Sequence, residues 1–195
     1  MRIAYADPPY PGESYMYREP ARPRKAVTYQ PGPDAAGEVD HAELIERLVR
    51  DFPDGWALST KAPALRELLP LCPPRARVMP WVKPFASWKP GINPSYSWEP
   101  IIVFGGRKRE RSEKTVRDWV AANITIGKGL AGVKPYEVCA WLFEVMGMGP
   151  LDELVDLFPG SGAVTEAWEI WKAGGPLPKQ RRDEKRSEHT RSDAR

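Results

Sequence analysis

Cysteine and histidine are nearly absent from this 195-residue chain, at two residues each. Cys72 and Cys139 both stand in apolar surroundings, with no Cys-x-x-Cys spacing and no histidine partner. That argues against a structural zinc and reads as two core thiols in a reducing cytoplasm. No apolar run approaches the roughly 18 residues of a membrane span, and no signal peptide opens the chain, so secretion and membrane crossing are disfavoured. Charge of one sign is also scarce, at a net +3, and what excess there is sits in residues 179–195, with seven Lys/Arg against four acids. The rest of the chain is balanced.

What the chain does have is proline and glycine, 22 and 16 residues, around a 42% hydrophobic content. That combination describes one globular core with long irregular connections. The expected organisation is a single domain over residues 1–178, with long loops at 11–38 and 84–98. A basic tail follows at 179–195, almost without apolar side chains and expected to be disordered.

The most informative stretch is the first. The apolar run Ile3-Ala4-Tyr5-Ala6 ends in Asp7-Pro8-Pro9-Tyr10. Two prolines cannot donate to a ladder and fix φ near −65°, so a strand must stop there with Asp7 and Tyr10 at its carboxyl end. Open α/β sheets keep their ligand sites at such ends. Neither Pro8 nor Pro9 carries an N–H, so Asp7 and the Pro8 carbonyl form a pair of acceptors without a competing donor. Acceptors beside an aromatic ring suit a planar base with an exocyclic amine. The plain alternative is a proline-rich turn after a strand.

Downstream, Asp40 with Glu43 three residues on reads as a capping box. Leu44, Ile45, Leu48, Val49 and Phe52 form one apolar stripe behind it. Asp54-Gly55 leads into Trp56–Ser59, a buried strand, which makes residues 3–59 a βαβ unit of a parallel sheet. His41 is a cap neighbour. Residues 63–71 read as a short helix, Arg77–Val82 as a third strand and Pro100–Phe104 as a fourth. In the 11–38 loop, Tyr15, Tyr17 and Tyr29 stand beside Arg18, Arg22, Arg24 and Lys25, which suits single-stranded or flipped nucleic acid; the alternative is an unstructured insert. Residues 106–118, with six Lys/Arg against three acids, could track a phosphate backbone or simply be a solvated face.

A second anchor lies at 134–171. Pro135 fits a first helical turn, with Val138, Trp141, Leu142, Val145 and Met146 at helical spacing and Gly147 and Gly149 at its end. Leu154–Phe158 reads as a buried strand, Pro159-Gly160-Ser161-Gly162 as a turn, and a last helix aligns Val164, Ala167, Trp168 and Trp171. Strand, glycine turn and helix start make a nucleotide-binding arrangement. It is not a phosphate-binding P-loop, because no Lys-Ser or Lys-Thr follows Gly162.

Asp-Pro-Pro-Tyr at a strand end resembles the catalytic motif of the amino-methyltransferases, which move methyl from S-adenosylmethionine (AdoMet) to the exocyclic amine of adenine or cytosine. Lys134-Pro135, a helix, then Asp156-x-Phe158-x-Gly160-x-Gly162 is similar to the AdoMet-binding half of the same family. Trp81-Val82-Lys83, a variable loop and Glu99 ahead of an apolar strand also resembles it, particularly the branch shared with messenger-RNA adenosine methylases. The bland reading of Lys83 and Glu99 is a solvent-facing pair at sheet ends. The resemblance covers about residues 1–172, in the permuted order with the catalytic motif first.

It implies a Rossmann-like α/β methyltransferase fold, a mostly parallel sheet flanked by helices. It further implies Asp7, Pro8, Pro9 and Tyr10 as catalytic residues. Asp156, Phe158, Gly160, Ser161, Gly162 and Lys134 would bind AdoMet, and Trp81, Lys83, Tyr29 and Arg24 would contact substrate. DNA adenine N6 is the implied target, with RNA adenine or cytosine N4 as alternatives, and a phage or bacterial setting fits the small size. One departure stands out: Lys172-Ala173-Gly174-Gly175-Pro176 breaks the chain where the family continues into a strand bearing a ribose-binding acid. The cofactor half is therefore expected to be one or two strands short. A homodimer could complete it, or the chain could be an inactive nucleic-acid-binding subunit.

Overall fold

The amino-terminal apolar run is a strand, β1 (Arg2–Ala6), whose last four residues are buried. The computed structural model describes residues 1–11, 39–85, 91–124 and 133–174. Arg24 and Tyr29, the loop beyond Pro11, Trp88 and the basic tail lie outside the described residues.

Helix α1 (His41–Asp51) starts where Asp40 accepts from the N–H groups of Ala42 and Glu43 at 2.9 and 3.1 Å. It buries Leu44, Ile45 and Leu48 on one face, with Phe52 beyond its end, whereas Val49 is exposed. Strand β2 (Gly55–Ser59) is buried throughout and pairs in parallel with β1, as the βαβ reading requires. A helical segment follows, with α2 (Leu65–Leu68) between 3-10 turns at Ala62–Ala64 and Leu69–Leu71.

Strands β3 (Arg77–Val82) and β4 (Trp98–Gly105) pair antiparallel, and β4 also runs antiparallel to β2. The physical reason is the connection. Parallel neighbours need a crossover, usually a helix; the sequence 83–97 has no helical periodicity, and the two strand ends meet where Lys83 N–H donates to the Ser97 carbonyl at 2.7 Å.

Strand β5 (Val120–Ala121), too short to be legible in the sequence, pairs in parallel with β3. Helix α3 (Tyr136–Val145), strand β6 (Glu153–Asp156) and helix α4 (Ala163–Lys172) complete the order. Pro135 stands one position earlier than the sequence suggests: it is the N-cap, and its carbonyl accepts from Val138 and Cys139. The strand expected over 154–158 stops at Asp156.

Among the described residues the sheet order is β5-β3-β4-β2-β1-β6, with β4 alone reversed. Period-2 alternation splits the core in two. Ile3, Tyr5, Ala57, Met79, Trp81, Ile101 and Val103 face α3 and α4. Ala4, Ala6, Trp56, Leu58 and Ile102 face α1 and α2. Trp56 and Phe143, both fully buried, anchor opposite sides, each contributing about 1.5–3 kcal/mol by burial. Cys139 is buried, Cys72 half-buried, and both are free thiols. No helix among the described residues is long and apolar enough to cross a membrane.

The chain leaving β1 passes to the α1 face, while the chain leaving β6, its immediate neighbour, enters α4 on the opposite face. Adjacent parallel strands whose connections diverge leave a crevice beyond their carboxyl ends, the usual place for a ligand in such a sheet. Asp7 and Asp156 stand at those two ends. On its other side β6 has no strand neighbour among the described residues.

Candidate active site

The same alternation that sorts the core assembles the site. Continuing the α3-facing set to the carboxyl end of the sheet gives Asp7 after Tyr5, Ser59 after Ala57, Lys83 after Trp81 and Glu99 before Ile101. Lys134, just ahead of the Pro135 cap, drops into this group from the start of α3.

Four of these side chains form one line of alternating charge. Lys134 Nζ lies 2.8 Å from Asp7 Oδ2 and 2.8 Å from Glu99 Oε1. Lys83 Nζ donates to Glu99 Oε2 at 2.9 Å. Glu99 and Lys134 are buried, at 8% and 6% exposure, so the pairs are poorly screened. Trp81 lies beneath both ammonium groups, with its ring centre 4.5 Å from Lys83 Nζ and 5.7 Å from Lys134 Nζ. Its indole N–H donates to the Ala122 carbonyl at 2.8 Å, which fixes the ring. It is 3% exposed and supports the lysines as a cation–π platform.

Burial alone would favour the neutral acid at Glu99, but Lys134 and Lys83 outweigh it and lower its pKa to about 2. Burial likewise opposes the charge on Lys134, and the two carboxylates reverse this, holding its pKa well above the ordinary lysine value. At Asp7 burial prevails and raises the pKa, opposed by Lys134 and reinforced by Glu99. The Asp7 carboxylate is thus a strong acceptor. Tyr5 stands two residues before it with its hydroxyl 2.8 Å from Ser59 Oγ, and burial raises both Tyr5 and the half-buried Tyr10.

Asp156 pairs with Tyr5 across the β1–β6 ladder. Its Oδ1 accepts from the Phe158 N–H at 3.2 Å, while Oδ2 is buried without a hydrogen bond among the described residues. Burial raises its pKa to about 6, opposed by the Phe158 N–H and reinforced by Asp7. Gly160 and Gly162 take φ of +48° and +77°, left-handed values that suit glycine. A Cβ at Gly162 would meet nothing within 4 Å, so backbone here faces open space. Gly162 is the N-cap of α4 and offers no side chain of its own to cap it. Ser161 Oγ accepts from the Ala163 N–H at 3.4 Å. The N–H donors of the first turn of α4 beyond Ala163, the Asp156 oxygen as acceptor, and Lys134, whose third donor is not used by Asp7 or Glu99, fit the carboxylate and ammonium of an amino-acid moiety such as that of AdoMet.

The structure therefore brings together Asp7, Lys83, Trp81 and Lys134, with Tyr10 beside them and Asp156 one strand away. The sequence carried Glu99 only as part of a resemblance, yet it joins the two lysines. Its place two residues before Ile101, on the α3-facing side of β4, was the available signal. The basic stretch after β4 begins at the opposite end of the sheet, since β4 is reversed. There Arg107 is spent on both Asp152 oxygens and Arg109 on the carbonyls of Lys114 and Glu144.

No protein-family model matches the sequence, and no curated protein matches it. Among solved structures the chain is similar to M1.HpyAVI in its complex with SAM, with a TM-score of 0.54 and 15% identity, over 88% of this chain and 77% of that one. It is also similar to a second structure of M1.HpyAVI, with a TM-score of 0.51 and 16% identity, over 88% and 76%. At these identities the likeness is one of fold. The architecture is the Rossmann-like α/β sheet that the resemblance implied, with no strand beyond β6 among the described residues.

Proposed function

We propose that this chain transfers a methyl group from AdoMet to the exocyclic N6 amine of adenine in DNA. The observation that carries the reading is the Asp7 carboxylate, held 2.8 Å from the buried Lys134 at the mouth of the β1–β6 crevice. The likeness in fold to a protein solved with SAM supports the choice of cofactor.

When bound, AdoMet supplies a methyl group on a sulfonium, open to direct displacement by an amine nitrogen. The chain's own residues do the rest. Asp7 and the Pro8 carbonyl accept the two amine N–H bonds and aim the nitrogen lone pair, while Tyr10 stacks on the ring; the proton that the nitrogen sheds on methylation leaves by the Asp7 hydrogen bond. No residue of the chain forms a covalent link to the base. Lys134 and Glu99 fix the Asp7 carboxylate before the base arrives, so little reorganisation is left for the reacting complex. Asp7, Glu99, Lys83 and Lys134 sum to zero charge, and both cations are committed to carboxylates. Such a site favours a neutral planar base over a phosphate, and a duplex target would have to be flipped out of its stack. Asp156, Phe158, Gly160, Ser161 and Gly162 would hold AdoMet, with Lys134 helping at its methionine end.

Calorimetry tests the cofactor half. Because Asp156 must be ionised to accept from an ammonium, AdoMet affinity should rise as pH passes upward through about 6 and level off above. Asp156→Asn should weaken binding and flatten this profile. Saturable binding indifferent to Asp156→Asn would remove the residue from the site. The terminal position of β6 favours a second reading, a binding subunit whose cofactor half a partner completes. Absence of AdoMet binding with DNA binding intact would select it.

A further inference from the structure

We infer that Lys61 is a positioning residue for Tyr10, an inference that rests on the reading of residues 7–10 as the base-holding segment. Residues 7–11 are Asp-Pro-Pro-Tyr-Pro, so three of the five carry no N–H and contribute only acceptors. A segment of this composition has few donors with which to tie itself down, and it borrows them. Two lysines from other elements supply them. Lys134 holds the Asp7 side chain at the head of the segment, and Lys61 Nζ donates to the Pro11 carbonyl at 2.6 Å at its foot.

Tyr10 sits between these two tethers with a proline on each side. Pro9 and Pro11 have φ fixed near −65°, and a residue that precedes proline is confined to the extended region. The backbone of Tyr10 thus has little freedom beyond the swing of the segment as a whole. Anchoring the Pro11 carbonyl stops that swing, which sets the direction of the Tyr10 ring. The anchor is well placed for this. Ala6, the last residue of β1, pairs with Leu58, and Lys61 follows three residues later, where the chain turns into Ala62–Ala64. Lys61 touches backbone rather than base, so its contribution passes through Tyr10.

The test uses the full chain labelled with fluorotyrosine and read by fluorine NMR, with the Tyr10 signal assigned through Tyr10→Phe. Lys61→Met keeps the aliphatic stem and deletes the donor, whereas Lys61→Arg retains one. Lys61→Met should shift and broaden the Tyr10 signal while leaving that of the buried Tyr5 in place, and Lys61→Arg should restore it. In turnover, Lys61→Met should raise the KM for DNA by about tenfold, the equivalent of one charge-assisted hydrogen bond, with kcat and AdoMet affinity nearly unchanged. In a Tyr10→Ala background the same substitution should add nothing further. An unmoved Tyr10 signal in Lys61→Met overturns the inference, as does full additivity in the Tyr10→Ala background. A wild-type chain without AdoMet binding or transfer overturns the methyltransferase reading instead, and the fluorine spectra still decide whether the tether exists.

Discussion

Replacing Asp7 with alanine should lower methyl transfer to DNA by about a hundred- to a thousandfold or more, while AdoMet binding changes by less than about threefold. Losses of this size follow when one preorganised polar group is removed from a reacting centre. Without the carboxylate, the amine keeps at most the Pro8 carbonyl as acceptor, and its lone pair is no longer aimed. Lys134 loses one of its two carboxylate partners but keeps Glu99 at 2.8 Å, so the site stays assembled. Asp7→Asn refines the result. The amide retains one acceptor oxygen but presents N–H donors to an amine and to Lys134, so it should be nearly as damaging as alanine. The measurement is labelled methyl incorporation beside calorimetric AdoMet binding, and near-normal incorporation by Asp7→Ala would sink the catalytic assignment.

The second large effect is on stability. Lys134→Met fills the space of the lysine stem but removes the cation that Asp7 and Glu99 share. Breaking a buried pair by deleting one partner typically costs about 3–5 kcal/mol, because the remaining charge is left buried and unpaired. Glu99 keeps Lys83, so Asp7 bears most of this loss.

The pH dependence gives the effect its signature. Glu99, lowered to about 2 from an ordinary 4.5, contributes stability that is present above about pH 4.5 and fades as pH falls towards 2. Lys134 is raised, so its contribution is complete below its ordinary value of 10.5 and lost only at higher pH. In Lys134→Met, Asp7 and Glu99 lose their common cation and bind protons at higher pH. The gap in stability between wild type and variant should therefore be widest near neutrality and narrow as the pH falls below about 5. Urea unfolding at pH 7 and pH 4 measures it. A small, pH-independent difference would mean that the line of charge contributes nothing to folding.

Much of this was legible in the sequence because it is local. The Asp40 cap, the apolar stripe of α1, the buried β2 and the stop imposed by Pro8 and Pro9 are each written within a few residues, and each stands where the spacing placed it except Val49, which leaves the stripe for the exposed side. The reversed direction of β4 was not, since local propensity does not say which neighbour a strand will pair with. It goes with a connecting sequence, 83–97, that carries no helical periodicity for a crossover. The two-residue β5 carries no periodicity at all. The site shows the same division. Asp7 and Lys83 announced themselves by motif, but the contact between Lys134 and Asp7 joins residues far apart in the chain. Glu99 became central only once β4 lay between β3 and β2. Lys61 gave no signal in the sequence, because its role depends on Ala6 and Leu58 being neighbours.

That β6 has no outer neighbour among the described residues bears on function rather than on folding. With β6 at the margin, the ribose side of any cofactor would be held by α4 and its glycine turn, by a second copy, or by a partner chain. Sedimentation of the chain with and without AdoMet separates these arrangements.

The most direct test of the whole account is the chemical identity of the methylated product. The full chain is incubated with methyl-labelled AdoMet and, separately, unmethylated duplex DNA, single-stranded DNA and RNA, and each polymer is digested to nucleosides for chromatography. Label is expected in N6-methyldeoxyadenosine from DNA, abolished by Asp7→Ala. Label confined to RNA or to N4-methyldeoxycytidine would contradict the substrate, and no label in any polymer from a chain that binds AdoMet would contradict the proposed activity.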